Sequence, residues 1–394
     1  MCTDFSISTK DNEVVVGRSM ELGIELDSEL FFRSPGFEYN QNPGQEVIAH
    51  LEAAPDITLR TDLPDLNSMY SWKGLYGFTA LNAFHSDIVA TNGMNTHGLT
   101  TGTMVLAQSQ YQPFEQSDGK KRANNALFYP YLTTWILSRC RSCQEVIDGL
   151  EVNQLSPTLT RGNHNPDRLR VVDPFEQIQS AFRFHFPVQD VEGNAIVLEF
   201  VDGQLHISDL NPIGTLTNDP LIGWQQENVI SNYVNLSPVN AQNPKSHKGF
   251  RGHRFTCETV SQGTGLQGLP GSPTPVDRFV RTSMMTNFST PVDSKEQAST
   301  LAFHVLNTVD IPKGTTRNSA EPIDGQTSIP EDYTQWVTVS DLSQKMFYVR
   351  MYTSPLVYSV DLKALEKEHR LEDLNTHFKL PVEGTAIPIT NEIQ

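Results

Sequence analysis

The second residue of the chain combines two groups that can perform acyl-transfer chemistry. Cys2 follows Met1 and precedes the small residue Thr3, and aminopeptidases remove an initial methionine when the next residue is small. The mature residue then holds a thiol nucleophile and a free α-amine, a group with a reference pKa of about 7.7–8.0. Such an amine can act as general base near neutral pH without a separate histidine. The sequence therefore allows an N-terminal cysteine nucleophile, although an arbitrary second residue is the commoner explanation of Cys2 alone.

Two charged residues follow Cys2 at a distance that a β-hairpin can bridge. Residues 2–9 alternate in polarity, residues 13–18 are β-branched and apolar, and a polar turn lies between them. Such a hairpin brings Arg18 close to Cys2, where a guanidinium favours thiolate over thiol. Glu21 is expected to hold the Cys2 amine or to orient Arg18. For each of these two residues the competing interpretation is a solvated surface charge.

The rest of the chain alternates between strand and helix patterns. Strands are predicted at 77–80, 98–106, 181–210 and 336–362, helices at 124–150, 278–287 and 294–308, and a surface loop at 34–68. This order favours packed layers of antiparallel sheet and helix over a parallel doubly wound fold. No linker divides the sequence, so a single domain over residues 1–394 is expected.

Composition restricts the partners of the chain. The formal net charge is −17, which disfavours nucleic acid because phosphate binding needs clustered Lys and Arg. No segment approaches the roughly 20 apolar residues of a membrane helix. The N-terminus lacks a basic and an apolar leader region, so a cytoplasmic protein is expected as the chain is written. A periplasmic or secreted protein is expected instead if Met1 replaces a removed signal peptide.

Cys140 and Cys143 form a C-x-x-C motif that allows a redox pair or half of a zinc site. No second such motif and no paired histidine spacing completes a metal site. The motif lies in a helical pattern, where two partly buried thiols are the commoner arrangement. We therefore expect neither a metal ion nor another cofactor.

Five short motifs occur in an order that identifies a family. They are MCT at 1–3 with GRSME at 17–21, NGMNTHGL at 92–99, TNDP at 217–220, GTGLQGLPG at 263–271 and DRFVR at 277–281. Each motif is weak alone, but together they span residues 2–281. On these motifs the chain resembles the choloylglycine hydrolase and penicillin V acylase family of N-terminal-nucleophile hydrolases.

The resemblance implies both a fold and residue roles. The fold is an α+β, αββα four-layer sandwich of two antiparallel sheets flanked by helices, often assembled as a homotetramer. Cys2 would be the nucleophile with its own α-amine as base, and Arg18 would lie beside the thiol. Asn218 would donate its side-chain amide to the oxyanion, and Arg278 would support the charged transition state.

Three positions depart from the family pattern. Glu21 stands where the family usually has Asp, so its contact with the amine is expected to shift. Val105 stands where Asn or Tyr is common, and a valine side chain cannot donate to an oxyanion, which leaves only its backbone N–H. Asn92 replaces a common Asp, which is a milder change.

The implied reaction is hydrolysis of a linear amide in a small N-acyl substrate such as penicillin V, a conjugated bile salt or an N-acyl homoserine lactone. The alternative is an inactive acyl-ligand-binding protein on the same fold, which retention of Met1 would produce. An apolar acyl pocket is expected, with core packing as an equally weighted explanation of the aromatic candidates. The substrate-binding residues predicted are Met20, Phe31, Met69, Tyr70 and Val105, with Phe32, Trp72 and Tyr76 as further candidates.

Overall fold

The description of the molecule covers most of the chain. The computed structural model describes residues 1–41, 69–86, 88–114, 125–162, 167–174, 182–240, 263–317 and 330–368, and short pieces at 246–248, 254–256, 321–323, 326–328, 375–378 and 380. Most of the loop predicted at 34–68 lies outside these residues, as does Cys257.

Seven strands form a first antiparallel sheet, sheet A. They are β1 (Cys2–Ser8), β2 (Val14–Leu22), β16 (Thr215–Leu216), β19 (Thr316–Arg317), β22 (Glu331–Asp341), β23 (Met346–Met351) and β24 (Tyr358–Asp361). Their order is β16-β1-β2-β22-β23-β24, and β19 pairs with β22. The N-terminal strand is therefore an inner strand that is paired on both sides.

Ten strands form a second sheet, sheet B. They are β3 (Leu30–Arg33), β6 (Phe78–Asn82), β7 (Ala90–Asn95), β8 (Thr100–Gly102), β9 (Met104–Val105), β11 (Gln154–Leu155), β13 (Phe184–Gln189), β14 (Ala195–Val201), β15 (Gln204–Asp209) and β25 (Thr376–Phe378). The order is β11-β15-β14-β13-β8-β7-β6-β3-β25, and β9 also pairs with β13. All pairs are antiparallel except β11 with β15.

Helices and four small strand pairs complete the described elements. The helices are α1 (Leu132–Arg139), α2 (Cys143–Gly149), α3 (Ile222–Asn228), α4 (Pro275–Phe288), α5 (Lys295–Asn307) and α6 (Leu362–Glu368), with a 3-10 turn at Tyr129–Tyr131 and a π-helical turn at Val229–Tyr233. The small pairs are β4 (Glu38–Tyr39) with β5 (Trp72–Lys73), β10 (Ala126–Phe128) with β12 (Arg170–Val172), β17 (Ser246–Lys248) with β18 (Arg254–Thr256), and β20 (Glu321–Ile323) with β21 (Gln326–Ser328).

The elements stack in four layers. Helices α4 and α5 pack on β1, β2 and β22 of sheet A, and α1 packs on β7 and β8 of sheet B. Side chains alternate between the two faces of each strand, so one strand contributes to two cores. Cys2 of β1 belongs to the core between the sheets, whereas Phe5 and Ile7 of the same strand pack with α5. A third core lies between sheet B and the helices α1 and α2. This arrangement confirms the predicted αββα sandwich.

The sequence patterns predicted most of these elements. The hairpin at 2–18 is confirmed, with Asn12 of its turn in the left-handed region at φ 62°. The helix predicted at 124–150 is wrong for its first residues, since Ala126–Phe128 is a strand paired with β12. Within the described residues no helix is long and apolar enough to cross a membrane.

Candidate functional site

The β1–β2 register determines what surrounds the Cys2 thiol. Cys2 pairs with Met20 and Asp4 with Arg18, so these four side chains share the face of sheet A that looks towards sheet B. The Cys2 Sγ lies 3.5 Å from the Met20 Sδ, and Cys2 is fully buried. The thiol therefore lies between the two sheets, at the start of the strand.

Arg18 lies one residue pair further along the same face. Its Nη2 donates a hydrogen bond to the backbone carbonyl of Thr103 in sheet B. A Cβ on Gly102 would approach the Arg18 Cζ to 2.8 Å, so glycine at this position makes room for the guanidinium. The structure thus brings Arg18 to the neighbourhood of Cys2, as a diagonal neighbour in the hairpin.

Asn218 and Arg278 hold the backbone of Cys2 from the other side. The Cys2 nitrogen donates to the Asn218 Oδ1 at 2.5 Å, and the Arg278 Nη2 donates to the same oxygen at 2.7 Å. The Arg278 Nη1 donates to the Cys2 carbonyl at 2.5 Å and to the Thr3 Oγ1 at 2.6 Å. Met1 precedes Cys2 in the structure, so the nitrogen that Asn218 binds is a peptide nitrogen, which would be the α-amine of a chain that begins at Cys2.

Arg278 is a buried cation near the start of α4. Its side chain has no exposed surface, and its Nε donates to the carbonyl of Pro273 at 2.8 Å. Burial lowers the pKa of Arg278 from its usual value, while the charge of Glu21 and the Cys2 thiol act in the opposite direction. Sequence reasoning placed this residue in the site, and the structure places it against the backbone of Cys2.

Glu21 faces Arg278 and not Arg18. The pairing of β2 with β22 shifts between Met20 and Glu21, and the Glu21 carboxylate accepts a hydrogen bond from the Thr334 Oγ1 at 3.0 Å. Burial raises the pKa of Glu21, opposed mainly by the charge of Arg278 and then by the amino terminus. The described part of the chain shows no hydrogen bond or ion pair between Glu21 and Arg18, so the orienting role finds no support. The amino terminus near Glu21 is that of Met1, so the contact of Glu21 with the Cys2 amine stays a prediction.

The turn that carries Asn218 is fixed by Gln225 of α3. The Gln225 Nε2 donates to the carbonyls of Asn218 at 2.8 Å and of Pro220 at 3.1 Å. The Thr217 Oγ1 donates to the Gln225 Oε1 at 3.2 Å and to the carbonyl of Pro275, the first residue of α4, at 2.9 Å. The Asn218 Nδ2 donates to the carbonyl of Val105 at 2.7 Å. The amide of Asn218 is therefore held in one orientation from sheet B and from two helices.

We expect Gln225→Leu to lower the free energy of unfolding by about 1–3 kcal/mol, because it leaves buried carbonyls of the turn without a donor. The turnover number should fall as well, because Asn218 loses its support. Urea unfolding and steady-state kinetics measure the two effects. Gln226→Leu, whose half-buried amide donates to the Asp209 carbonyl outside the site, is the matched control. A Gln225→Leu protein with wild-type stability and turnover would contradict this prediction.

An apolar cavity opens between the sheets next to the thiol. Its lining is formed by Cys2, Met20, Leu22, Leu26, Ala83, Phe84, Val89, Thr91, Thr103, Val105, Tyr129, Pro130, Phe182 and Phe184. No charged residue occurs in this described lining. The hydroxyls of Thr91 and Thr103 donate to the backbone carbonyls of Leu81 and Thr91. The cavity therefore offers apolar contact beside the thiol, which suits a hydrocarbon-rich group.

The structure brings only part of the predicted pocket to this cavity. Met20 and Val105 line it. Phe31 and Met69 lie in the core between sheet B and the helices α1 and α2, and Tyr70 packs at the edge of that core and lines a separate hollow with Trp135. These three residues are not at the described cavity, because their side chains leave sheet B or its loops on the face away from Cys2.

Sequence reasoning missed most of the cavity wall. Phe182 and Phe184 alternate in the sequence, which puts them on one face of their segment, but no pattern says which face looks towards Cys2. Leu26, Ala83 and Val89 lie in connections whose path follows only from the assembled sheets. Gln225 carried no signal at all, because its role depends on the backbone of a turn.

The C-x-x-C cysteines are buried in the core. Cys140 and Cys143 are free thiols with exposed fractions of 2% each. Burial raises the pKa of both thiols well above the usual range, which disfavours the reactive thiolate. The Cys143 Sγ donates to the carbonyls of Val188 and Asn194. Across the described part of the chain, no group of three or more His, Cys, Asp or Glu is placed to hold a metal ion.

Comparison with known proteins gives consistent results at three levels. Residues 2–376 match the family described as linear amide C–N hydrolases, choloylglycine hydrolase family. The bile salt hydrolase/transferase of Clostridium perfringens is 26% identical over 364 residues, which is 92% of this chain and 92% of the relative. The structure of a C2A variant of the conjugated bile acid hydrolase from C. perfringens superimposes with a TM-score of 0.71 at 21% identity, covering 99% of this chain and 100% of that one.

A second solved structure shows the same fold. Penicillin V acylase from Agrobacterium tumefaciens superimposes with a TM-score of 0.64 at 20% identity, covering 94% of this chain and 88% of that one. At these identities the two structures establish the fold, and the family match covers the residues that build the site.

Proposed function

Because the chain belongs to the choloylglycine hydrolase family of linear amide C–N hydrolases, we propose that Cys2, freed from Met1, is its nucleophile and that its substrates carry an apolar acyl group. The observation that supports this proposal most is the convergence on one residue. The Cys2 nitrogen is held by Asn218, its carbonyl by Arg278, and its thiol lines the apolar cavity.

The proposed reaction needs only groups that the chain supplies and water. The α-amine of Cys2 takes the thiol proton as the sulfur attacks the amide carbonyl, and the resulting oxyanion is stabilised by the Asn218 Nδ2. The protonated amine then gives its proton to the leaving nitrogen, the C–N bond breaks, and a thioester remains on Cys2. Water, deprotonated by the same amine, attacks the thioester and releases the acid, which restores the thiol.

The cavity favours substrates with an apolar acyl group. It does not determine the amine half of the substrate, which can therefore vary. Its described lining has no charged residue, so a charged acyl group would lose its hydration without a partner. Penicillin V, glycine- and taurine-conjugated bile salts and N-acyl homoserine lactones all present an apolar acyl group on a linear amide. The relatives' names include bile salt hydrolase/transferase and penicillin V acylase, which supports testing these classes first.

Intact-mass spectrometry and a substrate panel test the proposal together. The purified protein is expected to lack the mass of Met1. Quenching during turnover of one of these amides is expected to add the acyl mass to the peptide that begins with Cys2. Retention of Met1 throughout the population, or turnover with the acyl group on another residue, would overturn the assignment. Retention of Met1 with tight ligand binding and no turnover would favour the inactive binding protein.

Narrowing the cavity should change which acyl groups are accepted. We expect Ala83→Phe to lower kcat/KM for the largest acyl group of the panel by about tenfold, with little change for a short acyl group, since a filled pocket loses contacts worth about 1–3 kcal/mol. The control is Val191→Phe, at an exposed turn position outside the cavity. Equal losses for long and short acyl groups would argue against acyl binding at this wall.

The quaternary state stays a prediction that follows from the family. We propose a homotetramer, to be checked by light scattering on the purified protein. A monomer at micromolar concentration would contradict it without affecting the proposed chemistry.

A further inference from the structure

A carboxylic acid lies beside the proposed nucleophile and has no role in the chemistry described so far. Asp4 is two residues after Cys2 on β1, so both side chains project into the space between the sheets. The β1–β2 register places Asp4 directly opposite Arg18, and Cys2 opposite Met20. Arg18 is thus the cross-strand partner of Asp4 and the diagonal neighbour of Cys2.

Arg18 has few other partners to balance its charge. It is 1% exposed, and its Nη2 donates to the carbonyl of Thr103. Its Nε and Nη1 have no hydrogen-bond partner within the described part of the chain. No acidic group lies within salt-bridge distance of Arg18 in that part, and the charge of Arg18 acts on Asp4 across the buried strand pair.

Strands β13 and β14 supply the polar groups around Asp4. Asp4 is 3% exposed, and the Gln189 Nε2 of β13 donates to its Oδ1 at 2.5 Å. His185 of the same strand is the second titratable group that acts on Asp4. The Nδ1 of His185 lies 3.4 Å from the Oε1 of Glu199 on β14. From the helix side, Arg278 contacts the Thr3 hydroxyl on the opposite face of β1.

We propose that Asp4 is a positioning residue that sets, through Arg18, how strongly the Cys2 thiolate is favoured. An ionised Asp4 offsets the charge of Arg18 and adds a like charge near the sulfur, so it opposes the thiolate. A neutral Asp4 leaves the charge of Arg18 to act on the sulfur. The inference rests on the proposed role of Cys2 and adds a pH-dependent control to it.

The side chain of Asp4 changes its charge between the two pH values, 5 and 7.5, at which the inference is tested below. Burial raises the pKa of Asp4 to about 6, while Arg18, the Gln189 hydrogen bond and His185 act in the opposite direction. Asp4 is therefore neutral well below pH 6 and ionised above it. As the pH rises through this point, the charge on Asp4 increasingly offsets that of Arg18.

Alkylation of Cys2 by iodoacetamide at different pH values tests the inference without any amide substrate. The rate is read from the N-terminal peptide by mass spectrometry, so the other cysteines do not contribute. Asp4→Asn should alkylate at the wild-type rate at pH 5 and about three- to tenfold faster at pH 7.5, because the asparagine stays neutral at both. Its amide oxygen can still accept the hydrogen bond from Gln189, so the packing is preserved.

Two further variants separate an electrostatic role from a structural one. Asp341→Asn removes another buried carboxyl of sheet A, which pairs with Val15, and should leave the alkylation profile unchanged. Gln189→Met removes the hydrogen bond to the ionised form of Asp4, so Asp4 should ionise at a higher pH in this variant. Just above pH 6 the variant should therefore alkylate faster than wild type. This variant also carries the test if Asp4→Asn does not fold.

The outcomes are distinct from those that test the proposed function. A ratio of Asp4→Asn to wild-type rates that is the same at pH 5 and 7.5, or a Gln189→Met rate equal to that of wild type just above pH 6, would overturn the role of Asp4. Activity that survives loss of the Cys2 thiol would overturn the nucleophile instead. Neither result can be mistaken for the other.

Discussion

Cys2→Ala is expected to lower amide hydrolysis by a factor of at least about 10⁴, because removal of a covalent nucleophile eliminates the acyl-enzyme route. Alanine is also small, so Met1 should still be removed and the α-amine retained. The variant therefore lacks only the sulfur. Steady-state rates, with the mass of the variant checked beforehand, measure the effect.

The same variant should keep its fold. Cys2 is one residue of a strand paired on both sides, and alanine retains the backbone bonds to Asn218 and Arg278. Ser6→Ala, on the same face of β1, is the matched control and should keep most of the activity. Full amidase activity in Cys2→Ala would show that the nucleophile is elsewhere.

The hairpin at the N-terminus shows how far the sequence determines the site. Its period-two pattern predicted both strands and the turn. The register was not predictable from that pattern, since it depends on the turn that runs through Asn12. The outcome is that Cys2 faces Met20 while Arg18 faces Asp4. The pattern brought Arg18 close to Cys2, as the register does, but the pairing of these residues could not be predicted from the sequence, and Asp4 was overlooked.

The pocket shows a different limit. Phe31 was a candidate for the substrate pocket, with core packing as the equally weighted alternative. It packs against Phe78 with ring centroids 5.7 Å apart in the core behind sheet B. Both faces of sheet B are covered, so its strands are apolar on both sides and alternation cannot identify the cavity face. Val105 was identified through the family, and its carbonyl accepts from Asn218 while its side chain lines the cavity.

The second large effect is expected at Asn218, where replacement by alanine should lower kcat by about 10²–10³ with a smaller change in KM. The Asn218 Nδ2 carries two hydrogens and, among the described residues, donates only to the Val105 carbonyl. The other hydrogen is the donor that we assign to the oxyanion. Because the oxyanion forms only after attack, its loss should affect turnover more than ground-state binding. Kinetics with an amide of the preferred acyl group measure both parameters.

Asn218 has a second role that the experiment must separate from the first. Its Oδ1 accepts hydrogen bonds from the Cys2 nitrogen and from Arg278, so alanine also removes contacts that hold the backbone of Cys2. Thr3→Val removes the hydrogen bond from Arg278 to the Thr3 hydroxyl and leaves the side-chain amide of Asn218 intact. If the contacts that hold the backbone of Cys2 dominate, the two variants should lose similar turnover. If the oxyanion donor dominates, Thr3→Val should stay within about tenfold of wild type. Turnover within threefold of wild type in Asn218→Ala would remove this residue from the chemical step and leave it as a structural support of the nucleophile.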